Sequence, residues 1–320
     1  MIMPFYNGGY KDLPDTTTPI SAAAMNYAEA PKLLGGGLFI NGNFDIWQRG
    51  TSFVSAAAAY KADRWEVTGT TTTVNRITNT SNLFDAKYTF EITSAGVINL
   101  RQKLENPHNV LYDKESTLSF WVKADVARTL TARLRNDTQA VTIGDQVYNV
   151  TTGFTKITIN FPASTQWAID DVIEVRIINS DDLSSDTIEF ANVRFEVGGV
   201  GTAFLPKTFA EELEDCHRYY QVFSSPISAS PLAYGYNTSA TRALVAFPLV
   251  TPMRVLPTVI RTGTERLRSF GASFAPTTFS VFYNPGEGLV TASIEVAAGL
   301  TANQLTNYTI DDNVVFDAEL

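Results

Sequence analysis

A charged stretch between residues 41 and 65 is the first place where this sequence could carry catalysis. It reads NGNFDIWQRGTSFVSAAAAYKADRW, with Asp45 and Arg49 near one end, Asp63 and Arg64 near the other, and two of the chain's 4 Trp. A carboxylate beside an arginine can act as a general acid or base. Charges withdrawn from water persist mainly in pairs, however, so an Asp–Arg pair at a strand end is more often structural. We interpret the stretch as the seam of a β domain.

A second candidate is the adjacent pair Cys216 and His217, which has the residue types of a nucleophile and its base. Neighbouring positions on a helix point about 100° apart, so these two side chains cannot face each other. We predict instead that Cys216 is a small buried core residue. With 1 Cys and 2 His in the chain, a disulfide framework is excluded and a zinc site is nearly so. We predict no catalytic residues, no metal and no cofactor.

An acidic turn near residue 183 has the oxygen ligands that calcium prefers. It contains Asp181, Asp182 and Asp186, with two serines between them. The spacing lacks the regularity of a calcium-binding loop, and acidic turns are commonly just solvated. Both interpretations stay open, and we prefer the solvated turn.

Aromatic side chains are the remaining candidates for a binding site. A sugar is held by an exposed aromatic ring flanked by polar side chains. On this criterion the predicted ligand-binding residues are Trp167, Tyr234, Tyr236 and Tyr283. The alternative is that such rings pack in an interface between subunits, where Tyr and Trp are also enriched. The two interpretations weigh equally for the tyrosines, whereas the interface is preferred for Trp121.

Composition and charge exclude several classes of function. The formal net charge is -9 at pH 7, whereas nucleic-acid binding needs clustered Lys and Arg. No apolar run approaches the roughly 20 residues of a membrane helix. The N-terminus lacks the basic and apolar regions of a secretory signal. We therefore predict no nucleic-acid partner, no membrane insertion and synthesis in a cytoplasm.

The elements that must position these residues are predicted to be mainly β-strands. Segments such as STLSFWVKAD alternate apolar and polar residues, which is typical of strands with one buried face. In DTIEFANVRFEVG the alternation slips at Ala191 and Asn192, which predicts a β-bulge. No helical stretches separate these segments, so a parallel α/β sheet is unfavoured. The pattern predicts a jelly-roll-like antiparallel β-sandwich over residues 37–206.

Three further segments are predicted around the sandwich. Residues 1–36 combine turn residues with one short helix, which needs a partner surface because it is too short to be stable alone. Residues 207–221 form a linking helix that begins with a capping box, Thr208 with Glu211. Its apolar stripe comprises Phe209, Leu213, Cys216 and Tyr220. Residues 222–320 form a smaller β domain.

Several patches of the chain resemble tail-fibre and related structural proteins of bacteriophages and prophages. The patches are NGNFDIWQRGTSF with YKADRW, ANVRFEVGGVGTAFLPKTFAEELEDCHRYYQ, FPLVTPMRVLPTV and the closing VVFDAEL. The N-terminal GGYKDLPDTTTPISAAAMNYAE is similar to virion-attachment segments. The patches touch most of the chain and occur in the same order as in that class.

This resemblance implies a homotrimeric appendage of the virion, a tail or head fibre, with a carbohydrate-binding-module-like sandwich. Residues 1–36 would contact other virion proteins, and the chain would attach the particle to glycan on the host surface. The class has no fixed catalytic set that could be carried over, so the expectation is a non-enzymatic protein. Two alternatives stay open. One is a passive spacer without a ligand, and the other is a polysaccharide depolymerase.

The trimer has a physical motivation as well. The segment SFGASFAPTTFSVFYNP spreads Phe270, Phe274, Phe279 and Phe282 over both faces of the predicted strands. Under strict alternation these rings cannot all enter one small core. A monomer would expose some of them, and a threefold axis would bury them.

Overall fold

A computed structural model describes residues 37–55, 58–69, 72–105, 107–182, 186–224, 230–283 and 288–319. The chain is mainly β, as predicted, with two short helices in the described part. These are α1 (Pro107–Leu111) and α2 (Phe209–His217). The predicted attachment segment, residues 1–36, lies outside the described residues. No helix in the described ranges is long and apolar enough to cross a membrane.

The first part of the described chain is an antiparallel sandwich of two six-stranded sheets. Its strands are β1 (Ser52–Ser55), β2 (Ala59–Tyr60), β3 (Glu66–Gly69), β4 (Thr72–Thr78), β5 (Tyr88–Ser94), β6 (Val97–Leu104), β7 (Ser116–Ala124), β8 (Arg128–Asn136), β9 (Val141–Val150), β10 (Thr155–Phe161), β11 (Ile173–Asp182) and β12 (Thr187–Val197). One sheet has the order β1-β4-β5-β12-β7-β10 and the other β2-β3-β6-β11-β8-β9. Most consecutive strands from β5 onward therefore lie in different sheets, which is the predicted jelly-roll-like pattern.

Alternation along the strands builds the core of this sandwich. Leu118, Phe120 and Val122 of β7 are fully buried. Phe120 contacts Tyr148 of the opposite sheet, with ring centroids 5.3 Å apart. The predicted bulge in β12 is confirmed, because the register with β7 shifts between Ala191 and Arg194. A bulge locally flips the alternation, so both ends of this long strand keep an apolar face toward the core.

A second unit follows helix α2 and contains a seven-stranded and a three-stranded sheet. Its strands are β13 (Tyr220–Ser224), β14 (Pro231–Asn237), β15 (Arg242–Pro248), β16 (Thr258–Arg261), β17 (Glu265–Ser269), β18 (Ala272–Phe274), β19 (Pro276–Phe282), β20 (Leu289–Val296), β21 (Leu305–Ile310) and β22 (Asn313–Asp317). The orders are β18-β17-β21-β14-β15-β20-β19 and β13-β22-β16. Its buried apolar residues form a cluster separate from that of the sandwich. The predicted domain boundaries agree with this separation but stay a prediction.

The linking helix differs from its predicted form in two respects. Its capping box is present, with both reciprocal hydrogen bonds between Thr208 and Glu211. It ends at His217, however, and the chain already enters strand β13 at Tyr220. The predicted apolar stripe is partly wrong, because Phe209 is 61% exposed. The buried face instead contains Glu212 and Cys216, one turn apart.

Candidate ligand-binding site

The charged stretch of residues 41–65 is a structural seam, and Asn41 lies at its centre. The Asn41 side-chain amide donates hydrogen bonds to the carbonyls of Ile46 (2.8 Å) and Asp63 (3.0 Å), and its Oδ1 accepts one from the Ile46 amide (3.0 Å). The Trp65 indole donates to the Asn41 carbonyl at 2.9 Å. The Trp47 indole is likewise buried in this seam. The two tryptophans and the Asn side chain therefore close the sandwich.

Both arginines of this stretch form ion pairs, and each has a carboxylate partner in the second unit. Arg64 forms an ion pair with Glu319 and stacks on the Tyr219 ring, with its Cζ 3.6 Å from the ring centroid. Arg49 forms ion pairs with Asp63 at 3.5 Å and with Glu319 at 3.3 Å. We call Arg49, Asp63, Arg64, Tyr219 and Glu319 the joint. It connects the sandwich to the last residues of the chain.

Because the joint is buried, a charged side chain without a partner there would be destabilising. Burial raises the pKa of Asp63, while Arg49 and the hydrogen bonds from Gln48 oppose that rise. Those bonds are 3.0 Å from the Gln48 amide and 2.5 Å from its side-chain nitrogen. No side-chain oxygen of Asp63 is left for a substrate, so the structural interpretation of this pair is the better one.

The predicted aromatic residues do not form one site. Trp167 is 4% exposed, so the prediction of an exposed ring is wrong at this position. Tyr283 is half-buried against the core of the second unit, and its hydroxyl donates to the Met253 carbonyl at 2.7 Å. Trp121 is half-buried on the outer face of its sheet and packs on Phe84, with ring centroids 5.4 Å apart. Packing therefore accounts for these three rings.

Tyr234 and Tyr236 do share an exposed surface. Both lie in strand β14, two residues apart and so on one face of the seven-stranded sheet. Tyr234 is 65% exposed and Tyr236 is also exposed. Ala233, which points to the opposite face of the sheet, is fully buried. Extended backbone paired on both sides gives these rings a rigid support, which a loop would lack.

A row of three side chains crosses neighbouring strands at Tyr234. In the antiparallel register Tyr234 of β14 pairs with Asn307 of β21, which in turn pairs with Arg268 of β17. Residues directly opposite each other in a sheet project from the same face. Leu305 pairs with Tyr236 in the next row. The row therefore presents an aromatic ring, an amide and a guanidinium side by side.

A groove of about 640 Å³ is lined by Tyr234, Asn307, Arg268 and Leu305. One wall is the turn between β17 and β18, where Phe270 and Gly271 have φ values of 49° and 81°. Two consecutive positive φ values are typical of the tightest hairpin turns, and they are unusual for a ring as large as Phe. The turn projects Phe270 outward, and its side chain is 84% exposed.

Two polar atoms at the groove have no partner among the described residues. Arg268 Nε and Asn307 Oδ1 are both buried and have no hydrogen-bond partner within the described ranges. The lining residues include no Asp or Glu. Because a buried polar atom without a partner costs free energy, a turn of either side chain toward a ligand that supplies one donor and one acceptor would relieve that cost.

Sequence reasoning found Tyr234 of this site but not Arg268, Asn307 or Phe270. A signal for Arg268 exists in ERLRS, where alternation places the arginines opposite the buried Leu267. Asn307 carries no comparable signal, because its importance comes from its register with Tyr234 and Arg268.

The acidic turn offers less than its sequence suggests. Asp186 forms an ion pair with Arg128, and the side chains of Asp181 and Asp182 lie outside the described residues. Among the residues that the structure describes, no group of three or more His, Cys, Asp or Glu side chains could hold a metal ion. The calcium interpretation remains untested.

Comparison with known proteins gives structural neighbours only. No family model and no curated protein matches this chain. A CBM4 carbohydrate-binding module is similar over 49% of this chain and 98% of its own, with 19% identity and a TM-score of 0.33. A putative sugar-binding protein from Bacteroides thetaiotaomicron covers 51% and 100%, with 13% identity and a TM-score of 0.34. A cyclase from Fischerella covers 52% and 98%, with 15% identity and a TM-score of 0.37.

Proposed function

We propose that this protein is a non-enzymatic saccharide-binding protein that uses the groove at Tyr234. The observation that carries the proposal is the row of exposed Tyr234 beside Asn307 and Arg268, two residues with buried and unpartnered polar atoms. A sugar ring has an apolar face that stacks on an aromatic ring and hydroxyl groups that donate and accept hydrogen bonds at its edge. The row supplies a partner for each of these features.

The setting that we propose is a bacteriophage virion appendage. The sequence resemblance to tail-fibre proteins supports it. In this setting the chain is made in the host cytoplasm, residues 1–36 attach it to other virion proteins, and the second unit meets host-surface glycan. A protein that lacks residues 1–36 would fold and bind saccharide but fail to join particles. Normal incorporation of the truncated protein would contradict the proposed attachment.

A glycan array followed by calorimetry tests saccharide binding. We expect the wild-type protein to bind a subset of glycans and Tyr234→Ala to weaken that binding by about tenfold, the effect of losing one stacked ring. Tyr112→Ala is the matched control, because Tyr112 is an exposed tyrosine that lies next to helix α1, far from β14 in the sequence. Absence of binding to every glycan would favour the passive spacer. Release of reducing sugar from a bound polysaccharide would instead reveal a depolymerase.

A further inference from the structure

We propose that the groove selects a saccharide that carries an oxyanion, either a carboxylate or a phosphate group, and that Arg268 determines this specificity. The inference rests on the proposed function and names its ligand class. A guanidinium matches the geometry of both oxyanions, because its N–H groups form a planar fork.

The first argument is that Arg268 has no carboxylate of its own. Many other arginines of the chain form ion pairs with carboxylates. Arg133 pairs with Asp145 at 2.6 Å, and Arg261 pairs with Glu265 at 2.6 Å. Within the described ranges no ion pair forms at Arg268, and its Nε is buried without a partner. The positive charge of this side chain is therefore available to a ligand.

The second argument is the charge of the surroundings. The whole chain has a net charge of -9, yet the residues that line the groove include no carboxylate. The groove is therefore a local positive site on an acidic protein. Concave surfaces with walls of low polarity concentrate the field of such a charge, and Phe270 and Leu305 provide such walls.

The third argument is the order of the row. Neighbouring strands lie about 4.8 Å apart, so the distance from Arg268 across Asn307 to Tyr234 is roughly 10 Å. An oxyanion at Arg268 places the adjacent sugar hydroxyls at Asn307 Oδ1, which needs a donor. The apolar face of the next ring then lies on Tyr234. The row accordingly fits an acidic sugar unit followed by a second unit.

The test uses full-length protein and three probes: an oligogalacturonate, a phosphorylated oligosaccharide and a neutral galactose oligomer of similar length. We expect at least one acidic probe to bind about tenfold more tightly than the neutral one at low ionic strength, with the preference declining as salt is added. Arg268→Gln should remove that preference, so that the acidic and neutral probes bind with similar affinity. Arg268→Lys keeps the charge but not the fork, so it should retain part of the preference. The two acidic probes distinguish a carboxylate from a phosphate.

Arg242→Gln is the matched control, because Arg242 lies in the same sheet and is exposed and paired with Glu295. This substitution should leave the preference for acidic probes intact. Equal or tighter binding of the neutral probe, or an unchanged preference in Arg268→Gln, would overturn the oxyanion proposal while saccharide binding stands. Failure of all three probes together with a negative glycan array would overturn both proposals. Circular dichroism of each variant establishes that the fold is intact.

Discussion

Cys216 shows how burial decides the chemistry of a single residue. The side chain is fully buried on helix α2. Burial raises the pKa of its thiol well above the usual value, and the nearby carboxylates of Asp63 and Glu212 raise it further. Because the thiolate is the reactive form, this cysteine is chemically quiet at neutral pH.

We expect Cys216→Ala to lower the free energy of unfolding by about 1 kcal/mol and to leave saccharide binding unchanged. Cys216→Ser is the informative comparison, because it buries a hydroxyl group in the same space and should cost about 1–3 kcal/mol. Urea unfolding measures both values. Rapid labelling of the native thiol by a thiol reagent at neutral pH would show that the residue is accessible after all.

The pKa of Glu105 shifts in the opposite direction to that of Cys216. Burial disfavours its charge, but hydrogen bonds from Arg218 (2.6 Å) and from the Tyr219 hydroxyl outweigh that effect and lower its pKa below the usual value of 4.5. A carboxyl group whose pKa is lower in the folded state stabilises the fold above its unfolded-state pKa. That contribution is lost as the pH falls through the folded-state pKa.

The resulting prediction concerns Glu105→Gln. At neutral pH this variant should be less stable than the wild type by about 1 kcal/mol, a value at the low end for a charged hydrogen bond because Arg218 is 44% exposed. The difference should shrink as the pH falls below 4.5 and through the lowered pKa of Glu105, since the wild-type carboxyl group also becomes protonated. Urea unfolding at neutral pH and at a pH below 4.5 provides the test. A difference that is independent of pH would mean that the charge of Glu105 is unimportant.

At the scale of elements, the main feature is the joint between the sandwich and the second unit. Helix α2 ends at His217, and the chain turns directly into β13, so Tyr219 and Tyr220 face the two arginines of the sandwich. Arg49 Cζ lies 3.5 Å from the Tyr220 ring centroid. Ala318, next to the end of the chain, is fixed by a 2.8 Å hydrogen bond from its amide to the Tyr219 carbonyl. The element order thus brings residues distant in sequence into one cluster.

Removal of the Glu319 side chain should therefore lower the free energy of unfolding. Glu319→Ala leaves Arg64, which is 1% exposed, without its carboxylate partner, and a broken buried ion pair costs about 3 kcal/mol. Glu295→Ala removes an exposed pair and is the control, with an expected cost below about 1 kcal/mol. Thermal and urea unfolding compare the two variants. Equal costs would show that the joint contributes no more than a surface ion pair.

At the scale of the whole molecule, the seven-stranded sheet has two open edges. Strands β18 and β19 lie at its opposite ends. Phe282 of β19 is 58% exposed, and Phe270 beside β18 is also exposed. The other two rings of this set, Phe274 and Phe279, pack partly buried against the core. The expectation that some of these phenylalanines remain outside the core is thus confirmed, while the trimer stays a proposal.

Two different exposed edges suit a head-to-tail contact between copies, and such contacts close into a ring when the rotation permits. Because the resemblance implies a trimer, we expect the wild-type protein to sediment at about three times 35.1 kDa. Phe282→Ser should weaken assembly by about tenfold or more, as for a central interface residue. Val147→Ser on the sandwich is the control, because Val147 is an exposed apolar residue outside this sheet. A stable monomer at micromolar concentration would contradict the trimer.

The local pattern of the sequence determined the mainly β architecture of this protein. Alternation is a property of each strand alone, since every second side chain meets the same environment. It therefore predicted β7, the bulge in β12 and the burial of Phe120. The capping box at Thr208 was predictable for the same reason, because its hydrogen bonds join residues only three positions apart.

Contacts between distant segments required the tertiary structure. Arg64 and Glu319 are 255 positions apart, and no local pattern pairs them. The row of Tyr234, Asn307 and Arg268 depends on the register of three strands that are not consecutive in the chain. Trp167 shows the same limit, since an aromatic residue in a polar segment can be buried by remote strands. Sequence determined which side chains share a face of one strand, and tertiary structure decided which faces meet, because strand order and register are set by packing across the whole fold.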